Sequence, residues 1–391
     1  MNLVKTILFS CFILHSACVW SVAYIPKSDA EVLEHLPVTT GELSRLRRLR
    51  SQLTENTGDY PLALSLAREY ITAGRTNSDP RYFGYAEAIL MPWVSPQNSV
   101  PEALVLRATI LQNRHDFPSA LADLKAALNI NPRLSQAWLT LAAIYEVQGN
   151  YPSALRSCMN LARFSSSLMA TICVNSALSL SGQAKTSYEQ LVSTISTREG
   201  GDPEEMTWAY TVLAELAERL NLNKEANSWY QKANEQGYRS VYLLSSYADF
   251  LLDQNKPAEV LEILQAESKA DTLLLRLTLA EQILQHKDFT QHVELIKARI
   301  AAAKARGDTV HQGDEARFTL HVRQDAQTAL KLAIDNWAVQ KEPRDARILM
   351  EAAISAKNIG AARSVIKFLA QTHLEDAHLE ALVNKVTGQG S

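Results

Sequence analysis

The chain has 391 residues, 47% of them hydrophobic and 21% charged, with a formal net charge of -3. That hydrophobic share excludes global disorder and is enough to bury sizeable cores, while the near-neutral charge excludes a general nucleic-acid binder, which carries a strong basic excess. Only 14 glycines and 13 prolines stand beside many alanines and leucines, a balance that favours helices over sheets.

The first segment reads as a targeting signal. "MNLVK" supplies one positive charge, "TILFSCFILHSACVW" is a mainly apolar run, and Ser21 and Ala23 are small residues placed for cleavage before Tyr24. The run is short for a membrane span. Residues 1–23 are therefore expected to be a removed export signal, with an uncleaved anchor as the competing reading, and the mature protein is expected to be periplasmic or secreted. Cleavage would remove Cys11 and Cys18 and leave Cys158 and Cys173. An oxidising compartment would pair those two; the alternative is two buried thiols.

Residues 24–100 read as divergent helical hairpins. "SRLRRLRSQL" at Ser44 to Leu53 puts Leu43, Leu46, Leu49 and Leu53 on one helical stripe and four arginines on the other faces. That is a solvated cap face or a patch for anionic lipid or an acidic partner. "TGDYPLALSLAREY" follows, then an irregular spacer containing the helical "GYAEAIL".

Residues 101–270 form a regular array. "HDFPSALADL" and "GNYPSALRSC" put Pro118 and Pro152 34 residues apart. The same offset relates Leu104 to Trp138, Ala108 to Ala142, Leu111 to Tyr145, Ala120 to Ala154 and Leu124 to Cys158. The period continues through Gly182, Ala214, Ala226, Tyr230, Tyr247, Ala248 and Pro257. Residues 271–383 keep the helical period but match less well, and the Gly-rich end, 384–391, is expected to be a flexible tail. No strand-like alternation stands out, and the whole chain contains about eight or nine hairpins.

The second unit reads W-x2-L-A-x2-Y and then G, Y, A. This pattern resembles the tetratricopeptide repeat, a helix-turn-helix of 34 residues. It departs from that pattern at Arg107 and Cys158. The resemblance implies an all-α, right-handed superhelical solenoid of stacked helix-turn-helix hairpins. Small residues such as Ala142 and Ala154 let helices approach, and Gly149 with Asn150 suits the turn. In that register Cys158 falls late in one hairpin and Cys173 early in the next, so a disulfide across the joint is expected.

The resemblance also implies a concave groove lined by the first helix of each hairpin, which receives a protein or peptide partner. Its register nominates Gln112, Asn113, Glu146, Trp208, Glu215, Arg219, Tyr242, Asp249 and Asp253. No phosphate-binding, nucleophile-elbow or zinc-protease motif occurs. "HLEDAH" spaces its histidines five apart, so their rings diverge on a helix and the segment reads as a solvated face. No cofactor, metal or enzyme activity is expected. The expected function is an exported interaction scaffold, and its finer form is an accessory in assembly or export of the cell envelope. The alternative is a glycan- or peptidoglycan-associated solenoid using Trp208 and Tyr242 as platforms.

Overall fold

The computed structural model describes residues 41–77, 79–95, 99–198, 200–307 and 312–388. The export signal with its cysteines, and residues 24–40, lie outside the described residues. The chain divides after Arg45: residues 46–391 make one compact unit, and before it only the opening turn of the first helix is described.

Among the described residues there are twenty α-helices, two short 3-10 turns and no strand. The helices are α1 Gly41–Glu55, α2 Tyr60–Asn77, α3 Arg81–Leu90, α4 Pro101–Asn113, α5 Phe117–Ile130, α6 Ser135–Val147 and α7 Tyr151–Leu161. Then come α8 Ser167–Ser179, α9 Ala184–Ser196, α10 Pro203–Arg219, α11 Asn223–Glu235, α12 Val241–Asp253, α13 Pro257–Leu264 and α14 Asp271–Leu284. The chain ends with α15 Phe289–Ala305, α16 Gln312–His321, α17 Ala326–Val339, α18 Pro343–Ser355, α19 Arg363–Thr372 and α20 Ala377–Thr387. The last helix runs to Thr387 and closes on Gly388 at φ +73°, so helix extends into the expected tail.

The repeated stretch opens the second helix of its hairpin. The side chains of Asp116 and Asn150 accept from the Ser119 and Ser153 N–H groups, and Pro118 and Pro152 sit in the first turn, where no N–H is needed. The turn before each cap holds one left-handed residue. That position is His115, Gly149, Gly182, Asn221, Asn255, Gln285, Gln324 and Lys357 in successive hairpins. The same backbone bond closes most of these turns, as in Asp116 N–H to Leu111 O and Asn150 N–H to Tyr145 O, both below 3.0 Å.

Pairs α2–α3 through α18–α19 form nine hairpins. First helices also touch first helices along the series α2, α4, α6, α8, α10, α12, α14, α16, α18 and finally α20. The molecule is thus a tetratricopeptide-like α-solenoid whose even-numbered helices form the inner layer. Alanines packed without any exposure, such as Ala108, Ala120, Ala154, Ala214, Ala226, Ala248 and Ala280, allow the close helix contacts. Leu46 is buried, and Leu49 and Leu53 pack on the same core, so these three leucines of the α1 stripe are structural, while Leu43 is exposed. Arg107 departs from the repeat pattern because its guanidinium grips Asp123 at 2.6 and 2.7 Å, tying α4 to α5.

Cys158 and Cys173 are joined by a disulfide, with Cα atoms 5.4 Å apart. It links α7 to α8 at the joint between adjacent hairpins, inside a core cluster with Ala142, Ala154 and Leu161.

The C-terminal hairpins return to the middle of the array. Lys341 N–H donates to Val147 O at 2.7 Å, and Ala184 N–H donates to Glu375 Oε2 at 2.8 Å, across 191 residues of sequence in the second case. Phe368 packs edge-on against Tyr151 and lies over Gly149. His373 lies over Gly182. A Cβ on Gly149 would meet the Phe368 ring at 2.6 Å, so this glycine serves both a positive φ of 71° and a close approach. The "HLEDAH" segment is therefore a contact strap: His373 covers a turn, Glu375 caps α9, and Asp376 caps α20 at Leu379 N–H. This corrects its reading as a solvated face.

Candidate functional site

The closure encloses a cavity of about 700 Å³ on the inner face. Its walls come from α6, α8, α10, α12, α14, α16, α18 and α20, with Tyr151 of α7 and Tyr230 of α11. Nine carboxylates and five arginines line it, with no lysine. Of the nominated groove residues, Glu146, Glu215, Arg219, Tyr242 and Asp249 line the cavity. Asp253 stands beside it, holding Arg347. The structure does not bring Gln112, Asn113 or Trp208 to it. Asn113 is exposed at the end of α4, and Trp208 packs between two core clusters.

Two layers of charge are arranged around this space. The first is closed on itself. Arg276, 1% exposed, reaches Asp249 at 2.8 Å and Asp314 at 2.9 Å, and Arg317 shares Asp249. Burial opposes charge on Asp249, but these two arginines overcome it and hold its carboxyl below the usual carboxylate range. Arg347 forks onto Asp253 and also meets Glu351, which His321 contacts as well. Burial would raise the Glu351 carboxyl, yet His321 and Arg347 bring it down to about 2. Arg344 grips Glu342 at 2.7 Å.

The second layer has no cation of its own. Glu146 accepts one long bond, 3.3 Å, from Ser176. Glu215 accepts from Tyr242 and from Ser246, the latter at 2.7 Å. Glu218 accepts from the Tyr230 hydroxyl at 3.0 Å. Burial pushes the carboxyl of Glu146 up to about 8, with Glu342 adding to the rise. Burial and the neighbouring Asp253 push Glu218 up to about 8 as well. Burial also raises Glu215, against its hydroxyl donors and Arg219. Arg219 itself donates to the carbonyl and hydroxyl oxygens of Ser179. Two buried polar atoms on the wall have no partner, the Tyr151 hydroxyl and Arg276 Nε. Tyr242 lines the cavity and keeps 40% of its surface exposed.

Sequence reasoning missed Glu218, Arg276, Arg317, Arg344 and Arg347. A signal for Arg276 existed in "LLLRLTLAEQ", where a charge interrupts an apolar run. Glu281 in the same run is buried and accepts His292 Nδ1 at 2.9 Å, so His292 has a structural role. Glu218, Asp253 and His378 form one group of ligand atoms close enough to share a metal ion, and Glu281, His286 and Asp288 form another. Both Asp253 oxygens already hold Arg347, which leaves the first group occupied by an ion pair. No described helix is long and apolar enough to cross a membrane.

No family model matches the chain, and no curated protein matches it. Among solved structures, a human IFIT1 dimer with m7Gppp-AAAA is similar at 12% identity and a TM-score of 0.46, over 84% of this chain and 85% of that one. A Rap protein complexed with competence and sporulation factor is similar at 12% identity and a TM-score of 0.48, over 89% and 94%.

Proposed function

We propose that this protein is a non-enzymatic exported scaffold that takes a segment of a partner protein or peptide into its inner-face cavity. The cavity carries the reading: about 700 Å³ is the size of specific ligand sites, and polar groups converge on it from ten helices. Its carboxylates outnumber its arginines, which favours a protein or peptide over a nucleic acid. Export rests on the N-terminal signal pattern and is supported by the Cys158–Cys173 bridge, which an oxidising compartment maintains. A role in assembling or exporting envelope components is the finer form of this reading.

Photo-crosslinking in cells tests it. A photoreactive residue at Tyr242, on the cavity wall, is expected to capture a partner. The same residue at Met159, 61% exposed on α7, is expected to capture none. Failure at Tyr242, or equal capture at both positions, overturns the cavity as the binding site. N-terminal sequencing of the mature protein tests export, with Tyr24 the expected first residue.

A further inference from the structure

The cavity's charge inventory does not balance, and the imbalance is local. Arg276, Arg317, Arg344 and Arg347 are each paired with carboxylates of the first layer, and Arg219 donates to the Ser179 oxygens. Glu146, Glu215 and Glu218 receive hydroxyl donors, and among the described residues no lysine, arginine or histidine forms an ion pair with them; His378 stands within 4.8 Å of Glu218, and Arg219 acts on Glu146 and Glu215 only at longer range. They lie on two inner helices separated by α8: Glu146 on α6, Glu215 and Glu218 one turn apart on α10. A buried carboxylate without a cation is costly, and hydroxyl donors repay only part of that cost. Independently, the Tyr151 hydroxyl on the same wall is unpartnered, on a side chain only 2% exposed. Arg219 and Glu146 are the charges that bear most on it.

We infer that Glu146, Glu215, Glu218 and Tyr151 form a receptor for one cationic side chain, an arginine in preference to a lysine, carried on the segment the cavity binds. This rests on the scaffold reading above and adds the chemistry of the ligand. A guanidinium presents five donors in a planar fork and remains charged when desolvated. Such a fork suits three carboxylates with free lone pairs and a phenolic oxygen able to accept. A lysine ammonium has three donors on a compact head and is more costly to strip of water. Burial holds the three acids toward their neutral forms, and an incoming cation would favour their ionisation.

Calorimetry on the full mature chain with the peptide Ac-Ala-Ala-Arg-Ala-Ala-NH2 tests this. The control is the same peptide with citrulline, which keeps the shape and loses the charge. The arginine peptide is expected to bind one site, and the citrulline peptide to bind about tenfold more weakly or worse. Glu215→Gln and Glu218→Gln should each weaken the arginine peptide by about threefold or more, and Tyr151→Phe should weaken it without changing the citrulline peptide. Equal binding of the two peptides overturns the inference, whatever the variants do to folding. So does failure of the arginine peptide to bind. The two readings fail separately. A Tyr242 adduct whose partner segment has no arginine or lysine removes the cation receptor and leaves the scaffold, whereas no adduct removes the scaffold.

Discussion

Glu146 and Glu218 make the protein's stability depend on pH in the opposite sense to a salt-bridged acid. Each carboxyl holds its proton in the fold up to about pH 8 and in the open chain only up to its ordinary value of 4.5. Between those values the folded chain binds more protons than the unfolded one, so stability falls as pH rises through the window. Glu351 acts the other way. Its folded value of about 2 gives stability that is present above 4.5 and lost as pH falls from there toward 2. Melting temperature is therefore expected to peak near pH 5 and to decline by pH 8. Glu218→Gln should be neutral at pH 5 and stabilising at pH 8, by about 1 kcal/mol after screening by cavity water. Thermal melts across that range check the sign. Arg276 poses the complementary case. Arg276→Met takes one of two guanidinium partners from Asp249 and the 2.9 Å ion pair from Asp314, and should cost about 3 kcal/mol. Adding Asp314→Asn should recover part of the loss, read by denaturant titration.

At the scale of elements, much of the fold was legible in the sequence because hairpin packing is local. Alanine at helix contacts, proline in a first turn and a left-handed residue before the cap recur every 34 residues or so, and each has a cause within its own hairpin. The substitution of Cys158 for Leu124 was readable for the same reason, since a neighbouring hairpin lies a fixed step away. Reducing the bridge, or making Cys158→Ser with Cys173→Ser, should cost about 3 kcal/mol for a closed loop of 15 residues. Equilibrium unfolding with and without reductant measures it, and reductant should leave the double variant unmoved. Turn glycines were legible as turns but not as landing points. Gly149→Ala should cost about 2 kcal/mol or more, because φ of +71° and the Phe368 ring both oppose a Cβ. Gly237→Ala, at φ +77° with nothing within 4 Å, should cost only the backbone part, about 1 kcal/mol. Phe368→Ala should relieve the difference between the two in a double-mutant cycle.

Closure of the array is the part the sequence concealed, and the concealment has a physical reason. A repeat fixes only the step from one hairpin to the next, and the end-to-end relation accumulates over many such steps. The contacts that meet across it, Lys341 with Val147 and Glu375 with Ala184, involve backbone atoms on one side and so leave little mark in residue type. Nominating groove positions from register placed five residues on the cavity wall, but it could not show that α18, α20 and their N-caps would cover them and supply six of the fourteen carboxylates and arginines. If the closure is held by these few contacts, loosening it should be selective. Glu375→Ala together with Phe368→Ala removes the cap on α9 and the ring over Gly149, and takes from the C-terminal core the packing of Phe368 on Trp337 while leaving the other hairpin cores untouched. Hydrogen exchange should then speed by about tenfold or more at the amides of Ala184 and Lys341, which open with the closure. Amides around the Cys158–Cys173 joint should keep their protection. Uniform loss of protection would mean that the closure and the array unfold as one unit, and that the cavity has no door separate from its walls.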